Sequence, residues 1–178
     1  HAFVAKLAKG GSLVDIFSHV GGFSLAALAA GATTATAVDS SQPALDLATK
    51  GAEISGFSKS FSAQKGDAFE VMSQLFDEGK RYQVVVCDPP AFAPSKPTLE
   101  RGLRAYEKAA KMASKLVEPG GYLVLCSCSH AADMSKFRKA SLVGMGKAGR
   151  KGQIIHTGSA GTDHPVHPHL AAVSYTHL

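Results

Sequence analysis

The sequence predicts an α/β fold: a Rossmann-like, doubly wound, mostly parallel seven-stranded sheet with helices on both faces. Three observations carry this expectation. Strand-like and helix-like segments alternate from one end of the 178 residues to the other. Several of the strand segments are apolar throughout, as in a sheet covered on both faces, instead of alternating apolar and polar. Polar or conformationally special residues recur at the carboxyl ends of these segments, the edge at which such sheets hold ligands.

The elements follow in order. "SLVDIF" (Ser12 to Phe17) is a short apolar strand running into the glycine turn "SHVGG", and "FSLAALAAG" reads as a helix closed by Gly31. "ATAVD" is a second strand ending at Asp39. "PALDLATKGAEIS" has Pro43 at a first helical position and Gly56 just past the end. "FSAQKGD" is a weaker strand ending near Asp67. "AFEVMSQLFDEG" spaces Phe69, Met72, Leu75 and Phe76 as a helix does. "YQVVVCDPP" is a strand too apolar for a half-exposed edge. A long helix from about Leu99 to Val117 is expected to stop at Glu118-Pro119-Gly120-Gly121. The strand "YLVLCSC" follows, then a helix from about Ala131, then weaker strands at "GQIIHT" and "LAAVSY".

Composition narrows the class. The length suits one domain with a full core. No apolar run approaches the roughly 20 residues of a membrane span, and "HAFVAKLAKGG" lacks the apolar core of a signal peptide. The chain opens on His1 and reads as a fragment or excised domain. Cys87, Cys126 and Cys128 make an odd set, which favours reduced thiols and a cytoplasmic location over a disulfide scaffold. A net charge of +5 and a pI near 9.2 suit a polyanionic partner. Lys136, Arg138, Lys139, Lys147, Arg150 and Lys151 form a basic segment without acids. Arg104, Lys108, Lys111 and Lys115 would share one helix face. Either group reads equally as a solvated face.

The loop "DIFSHVGGFS" is neither the dinucleotide fingerprint nor a Walker loop. Gly21 and Gly22 still permit a sharp turn and close approach to a ligand, although an ordinary strand-to-helix turn needs no more. Asp39 stands where an acid accepts hydrogen bonds from ribose hydroxyls. Taken with Asp67 and the Asp88-Pro89-Pro90 strand end, the loop favours a nucleoside cofactor without a diphosphate, such as S-adenosyl-L-methionine.

Together "VDIFSHVGGFSLAALAAGA", "VDSSQPALDLA", "VVVCDPPAF", "EPGGYLVLCSCSH" and "DHPVHP" resemble the class I adenosylmethionine-dependent methyltransferases. More narrowly, they are similar to the bacterial 23S rRNA cytosine-5 methyltransferases of the I type, over about Gly11 to Pro168. The resemblance implies cofactor contacts at Asp15, Phe17, Ser18, Gly21, Gly22, Phe23, Asp39, Ser40, Asp67, Ala68, Asp88 and Pro89. It implies substrate contacts at Pro90, Phe92 and Lys96, and RNA, namely 23S rRNA, as partner; it is compatible with a homodimer and involves no membrane. The family's N-terminal RNA-binding domain of the PUA type is not among these residues. Residues 1–170 therefore read as a catalytic domain, and residues 171–178 as a non-native or atypical tail.

Cys128 aligns with the family's nucleophile in Ser-Cys-Ser. Carbon 5 of cytosine is a weak nucleophile until a thiolate adds to carbon 6. Cys126, two residues deeper in the apolar run, reads as a small buried thiol. Two residues along a strand span about 6.6 Å, at the far limit for a disulfide. A metal site at Cys126, Cys128 and His130 lacks the paired spacing of structural zinc sites. Asp88 would bond the cytosine edge, or else simply cap the next turn. Phe92 would stack on the base, or else belong to the core, and Lys96 would meet phosphate. His156, His164, His167 and His169 read equally as solvated loop residues. The Cys128 thiol is expected below its ordinary pKa, near a sulfonium and a helix N-terminus. Two other functions stay open: a base N-methyltransferase using the Asp-Pro-Pro strand end, and an RNA-binding fragment without activity.

Overall fold

Ser12–Ile16 (β1) pairs in parallel with Thr34–Asp39 (β2) on one side and Tyr82–Cys87 (β4) on the other. Phe61–Lys65 (β3) adds to β2, and Val117–Ser127 (β5) adds to β4, so five parallel strands run in the order β3-β2-β1-β4-β5. The computed structural model describes residues 1–129, 131–159 and 175–177. Beyond β5, Tyr175–His177 (β7) pairs antiparallel with Leu125 to Ser127, and Thr157–Ser159 (β6) pairs with β7. These are three-residue pairings, shorter than the expected strands. Residues 151–156 are irregular where "GQIIHT" was expected to form a strand. Most of "LAAVSY" and of the 171–178 tail lies outside the described residues, as do His130, His164, His167 and His169.

Apolar residues on both faces explain why the central strands run parallel and buried. Leu13, Val84, Val86, Val124 and Cys126 face one layer, formed by Ala2–Leu7 (α1) and Gly22–Ala29 (α2). Val14, Ile16, Val85, Cys87 and Leu125 face the other, formed by Ala68–Asp77 (α4), Leu99–Leu116 (α5) and Met134–Lys147 (α6). Gln42–Ile54 (α3) packs on α2, where a Cβ at Gly51 would lie 3.0 Å from Leu25. Its Ser41 caps it and Pro43 lies in its first turn, as its sequence predicts.

Four local expectations need correction. Helix α1 was not anticipated, because six residues with two buried side chains carry too little periodicity. Glu118 to Gly121 does not separate helix from strand: β5 starts at Val117, and its register against β4 shifts between Tyr82 and Val84. Between those pairs β5 advances five residues, from Val117 to Tyr122, against two on β4, and Gly120 in the extra stretch has φ +78°. Asp67 is the N-cap of α4 and lies beyond the end of β3 at Lys65. Helix α6 begins at Met134, because Asp133 accepts from the Lys136 amide and caps it there. No helix among the described residues is long and apolar enough to cross a membrane.

Candidate active site

The loop after β1 is held in a costly backbone shape. Phe17 (φ 64°) and His19 (φ 49°) both occupy the left-handed region without being glycine. Each such residue costs on the order of 1–3 kcal/mol, and such strain clusters where function needs it. Two bonds offset the cost: the Ser18 amide donates to the Val38 carbonyl at 2.9 Å, and the His19 amide to Asp39 Oδ2 at 2.8 Å. Gly21 is required twice over, by φ +75° and by a Cβ that would lie 3.0 Å from Ala48. Gly22 is exposed and opens α2, and Phe23 is half-buried behind it.

Asp15 lies beneath this loop, 1% exposed. Its Oδ2 accepts from the Ser24 amide at 3.2 Å and the Ser24 hydroxyl at 3.1 Å. Its Oδ1 and the buried Ser18 hydroxyl have no hydrogen-bond partner among the described residues. Orphaned buried polar atoms are rare and call for a partner. Burial pushes the Asp15 carboxyl up to about 7; the Ser24 bonds oppose this, and the Asp88 and Asp39 charges add to it. Three carboxylates from three strand ends thus share one neighbourhood.

Asp39 ends β2 and spends one bond per oxygen on the loop, Oδ2 on His19 and Oδ1 on the Ser41 amide at 2.9 Å. An ionised carboxylate has about four acceptor positions, so capacity remains on each oxygen. Ser40, beside it, is exposed. Asp67 spends Oδ1 on the Phe69 and Glu70 amides at 2.9 and 3.1 Å, and Ala68 is buried behind it.

Asp88 follows β4, with its amide donating to the Ile16 carbonyl at 3.2 Å. The residue is exposed, yet the protein around its carboxyl raises the pKa through desolvation, partly offset by a hydrogen bond from the Cys126 thiol. Cys126 is buried, as its place in the apolar run predicts, and this bond ties its thiol to Asp88. Period-two alternation turns Cys126 toward the α2 face and Ser127 toward α5, and leaves Cys128 past the strand end. There the Cys128 thiol donates to the Pro89 carbonyl at 3.8 Å. No disulfide joins any of the three cysteines. The expected low pKa of Cys128 is overturned: desolvation, and then the Asp88 charge, push the thiol up. The N-terminus of α6 comes only at Met134, capped by Asp133.

Phe92 does not stand clear over the edge. Its ring packs 6.1 Å from Phe17, 6.3 Å from Phe69 and 5.0 Å from Tyr106. Pro90 and Lys96 are exposed, the latter in the 3-10 turn Lys96–Thr98. The α5 basic stripe is not simply solvated: Lys108 covers the Phe69 ring at 4.5 Å and Lys115 covers Phe76 at 4.8 Å. Of the other basic segment, Lys136 pairs with Asp133 and Lys147 with Glu107. Arg150 donates to the Val117 and Glu118 carbonyls at 2.8 and 3.2 Å. His156 is exposed and stacks on Phe3. Among the described residues no His, Cys, Asp or Glu cluster could hold a metal.

Sequence reasoning missed Tyr106, Ser24 and the bonding of Ser127 and Ser129. The signal for Tyr106 was a polar-tipped ring among the small buried residues Gly102, Ala109, Ala110 and Ala113 of a charged helix. A cavity of about 410 Å³, lined by Leu123, Arg138, Ser141 and Ile154 among others, follows the early part of β5. It includes none of the predicted site residues.

A parallel sheet with a strained glycine loop after its first strand and acids at neighbouring strand ends defines a Rossmann-like domain for a nucleoside cofactor. The chain belongs to the S-adenosylmethionine-dependent methyltransferase family, whose model matches residues 1–139. It is 36% identical over 164 residues to ribosomal RNA large subunit methyltransferase I of Aeromonas salmonicida, covering 92% of this chain and 41% of that protein. It is 37% identical over 163 residues to the Vibrio cholerae protein of the same name, covering 90% and 41%. The chain thus spans about 41% of the length of these curated relatives. Its fold matches a candidate methyltransferase solved with SAH at TM-score 0.82 and 21% identity, covering 96% of this chain and 45% of the other. It also matches a SAM-dependent methyltransferase from Agrobacterium tumefaciens at TM-score 0.73 and 22% identity, covering 98% and 57%.

The residues present fit S-adenosylmethionine. Its cationic amine and sulfonium suit a site where Asp15 Oδ1 is buried without a partner and two more carboxylates lie nearby.

Proposed function

We propose that this domain methylates carbon 5 of a cytosine in RNA, namely 23S rRNA, through a covalent bond between Cys128 and the base. The observation that carries the reading is the meeting of Cys128 with the Asp88-Pro89-Pro90 loop, its thiol 3.8 Å from the Pro89 carbonyl oxygen. The strained loop that would take the cofactor lies at the same edge of the sheet.

Asp15, Ser18, Gly21 and Gly22 hold the polar end of the cofactor, with Phe17 and Phe23 flanking the loop. Asp39, beside Ser40, accepts from the ribose hydroxyls, Asp67 with Ala68 takes the adenine amine, and Asp88 and Pro89 border the reacting end. When bound, S-adenosylmethionine supplies an electrophilic methyl group on a cationic sulfur. The Cys128 thiolate adds to cytosine carbon 6, which makes carbon 5 nucleophilic. Asp88 holds the edge at ring nitrogen 3 and the exocyclic amine, where negative charge builds as the thiolate adds. Carbon 5 takes the methyl group, and the electron pair of the broken carbon–sulfur bond stays on the cofactor sulfur. A base or water then takes the carbon 5 proton, and departure of the thiolate restores the ring. Lys96 and the exposed Lys139 and Lys151 lie where they can meet phosphate without reading sequence. Three cysteines without a disulfide favour a reducing, cytoplasmic setting.

One observation favours a second reading: the Cys128 thiol is pushed up, toward its unreactive form. Methylation of an exocyclic nitrogen beside Asp88-Pro89-Pro90 would need no thiolate. A 23S rRNA transcript carrying 5-fluorocytosine, incubated with the complete protein and cofactor, decides between them. Cytosine-5 transfer gives a covalent protein–RNA adduct that Cys128→Ser abolishes, because fluorine cannot leave as a proton. Methylation that persists in Cys128→Ser, without any adduct in the parent protein, refutes the proposal in favour of nitrogen.

A further inference from the structure

We propose that Tyr106 is a positioning residue for Cys128, its hydroxyl tying the strand end that carries the thiol to the loop that carries Asp88 and Phe92. The inference rests on the reading of Cys128 as nucleophile. Tyr106 is 2% exposed, and Ser127 and Ser129, on either side of Cys128, are each 1% exposed.

The Ser127 hydroxyl donates to the Tyr106 oxygen at 2.9 Å, and the Tyr106 and Ser129 hydroxyls share a bond of 2.6 Å. The Ser129 amide donates to Ser127 Oγ at 3.3 Å. From the other loop, the Ala93 amide donates to Ser129 Oγ at 2.9 Å, and the Ala131 amide returns to the Ala93 carbonyl at 3.2 Å. One phenol oxygen therefore fixes both neighbours of Cys128 and, through Ser129, the segment after Asp88-Pro89-Pro90.

Helix α5 is shaped for this contact. One turn before Tyr106, a Cβ at Gly102 would lie 2.6 Å from the Phe92 carbonyl oxygen and from Ala93 Cβ. Only glycine lets the helix come so close. The Tyr106 ring meets Phe92 and Phe137, each at 5.0 Å between centroids. A phenylalanine would fill the same space. What only the hydroxyl adds is direction: Cys128 lies exposed between two anchored serines, its thiol turned to Pro89. A buried polar network that is fully satisfied specifies one geometry where an apolar contact would allow several.

The test uses the complete protein with Tyr106→Phe and, as a second variant, Ser129→Ala. Readouts are the rate of adduct formation on 5-fluorocytosine RNA, KM for RNA, Kd for S-adenosylhomocysteine and the thermal midpoint. Misplacing a reacting atom by about 1 Å costs up to ~100-fold. Tyr106→Phe should therefore slow adduct formation and single-turnover methylation about 10- to 100-fold, with KM and Kd held within about twofold. Ser129→Ala should act in the same direction, and the double variant should be little worse than the slower single one, since both break one network. A lowered midpoint with parental adduct rate would make Tyr106 purely structural and overturn the inference. If the parent protein forms no adduct and Cys128→Ser stays active, the nucleophile reading fails and takes this one with it. An adduct that needs Cys128 but forms at parental rate in Tyr106→Phe refutes the positioning role alone.

Discussion

Replacing Asp15 with Asn should remove a pH dependence of stability that the fold builds into its cofactor-free state. The carboxyl is desolvated beneath the glycine loop, which raises its pKa from 3.8 to about 7. Between those values the unfolded chain has released the proton and the folded chain still holds it. The unfolded state therefore binds fewer protons, and stability must fall as pH rises. The contribution is fully present below 3.8 and lost by the time pH passes about 7. At ~1.4 kcal/mol per tenfold change in proton concentration, the loss is roughly 4 kcal/mol. Asn has nearly the same shape, keeps an oxygen to accept from Ser24, and carries no titrating proton. Urea unfolding of both proteins from pH 4 to 8, without cofactor, measures the difference directly. Other ionisable groups act in both curves and cancel. The stability difference, parent minus variant, should drop steadily across that range and flatten above about pH 7. Saturating S-adenosylhomocysteine, whose amine is cationic, should shrink the drop by favouring the ionised carboxylate. Parallel curves for parent and variant would refute the argument, and with it the claim that Asp15 is both buried and short of a partner.

Asp39→Ala should weaken cofactor binding by roughly 1.5–3 kcal/mol, the scale of hydrogen bonds to a charged group. Calorimetry checks this, and an unchanged Kd in a folded variant would remove Asp39 from the site. Neutralising Lys139 and Lys151, which have no partner among the described residues, should lower affinity for all RNAs alike. It should also flatten log K against log salt by about 0.7 for each lost phosphate contact on single-stranded RNA. Lys108→Gln should instead cost stability, because that ammonium covers Phe69.

Much of the fold could be read in the chain because its determinants are local. A period of 3.6, a run of valines, a proline in a first turn and a glycine after a last turn are stated by neighbouring residues. So are the strand ends, and with them the positions of Asp15, Asp39, Asp88 and Cys128 along the carboxyl edge. What local pattern misreads is a segment whose neighbours overrule it. Glu118 to Gly121 looks like a break, yet pairing with β4 absorbs it as a shift of register. Asp67 looks like a strand end and is a helix cap.

Energies and directions, by contrast, belonged to the tertiary structure. Phe92 was visible as an aromatic beside two prolines, but only the approach of α5 at Gly102 turns it into the packing of Phe17, Phe69 and Tyr106. The basic stripe on α5 was visible as a helix face; only α4, lying beside it, turns two of its lysines onto rings. The thiol of Cys128 was expected low from a neighbouring sulfonium and the N-terminus of the following helix. Burial and a carboxylate that arrives from another strand push it high instead. Periodicity and punctuation act over a few residues, whereas desolvation and Coulomb terms act through space between segments far apart in the chain. The sequence by itself could therefore name the reactive groups, and the folded chain alone decides what each of them faces.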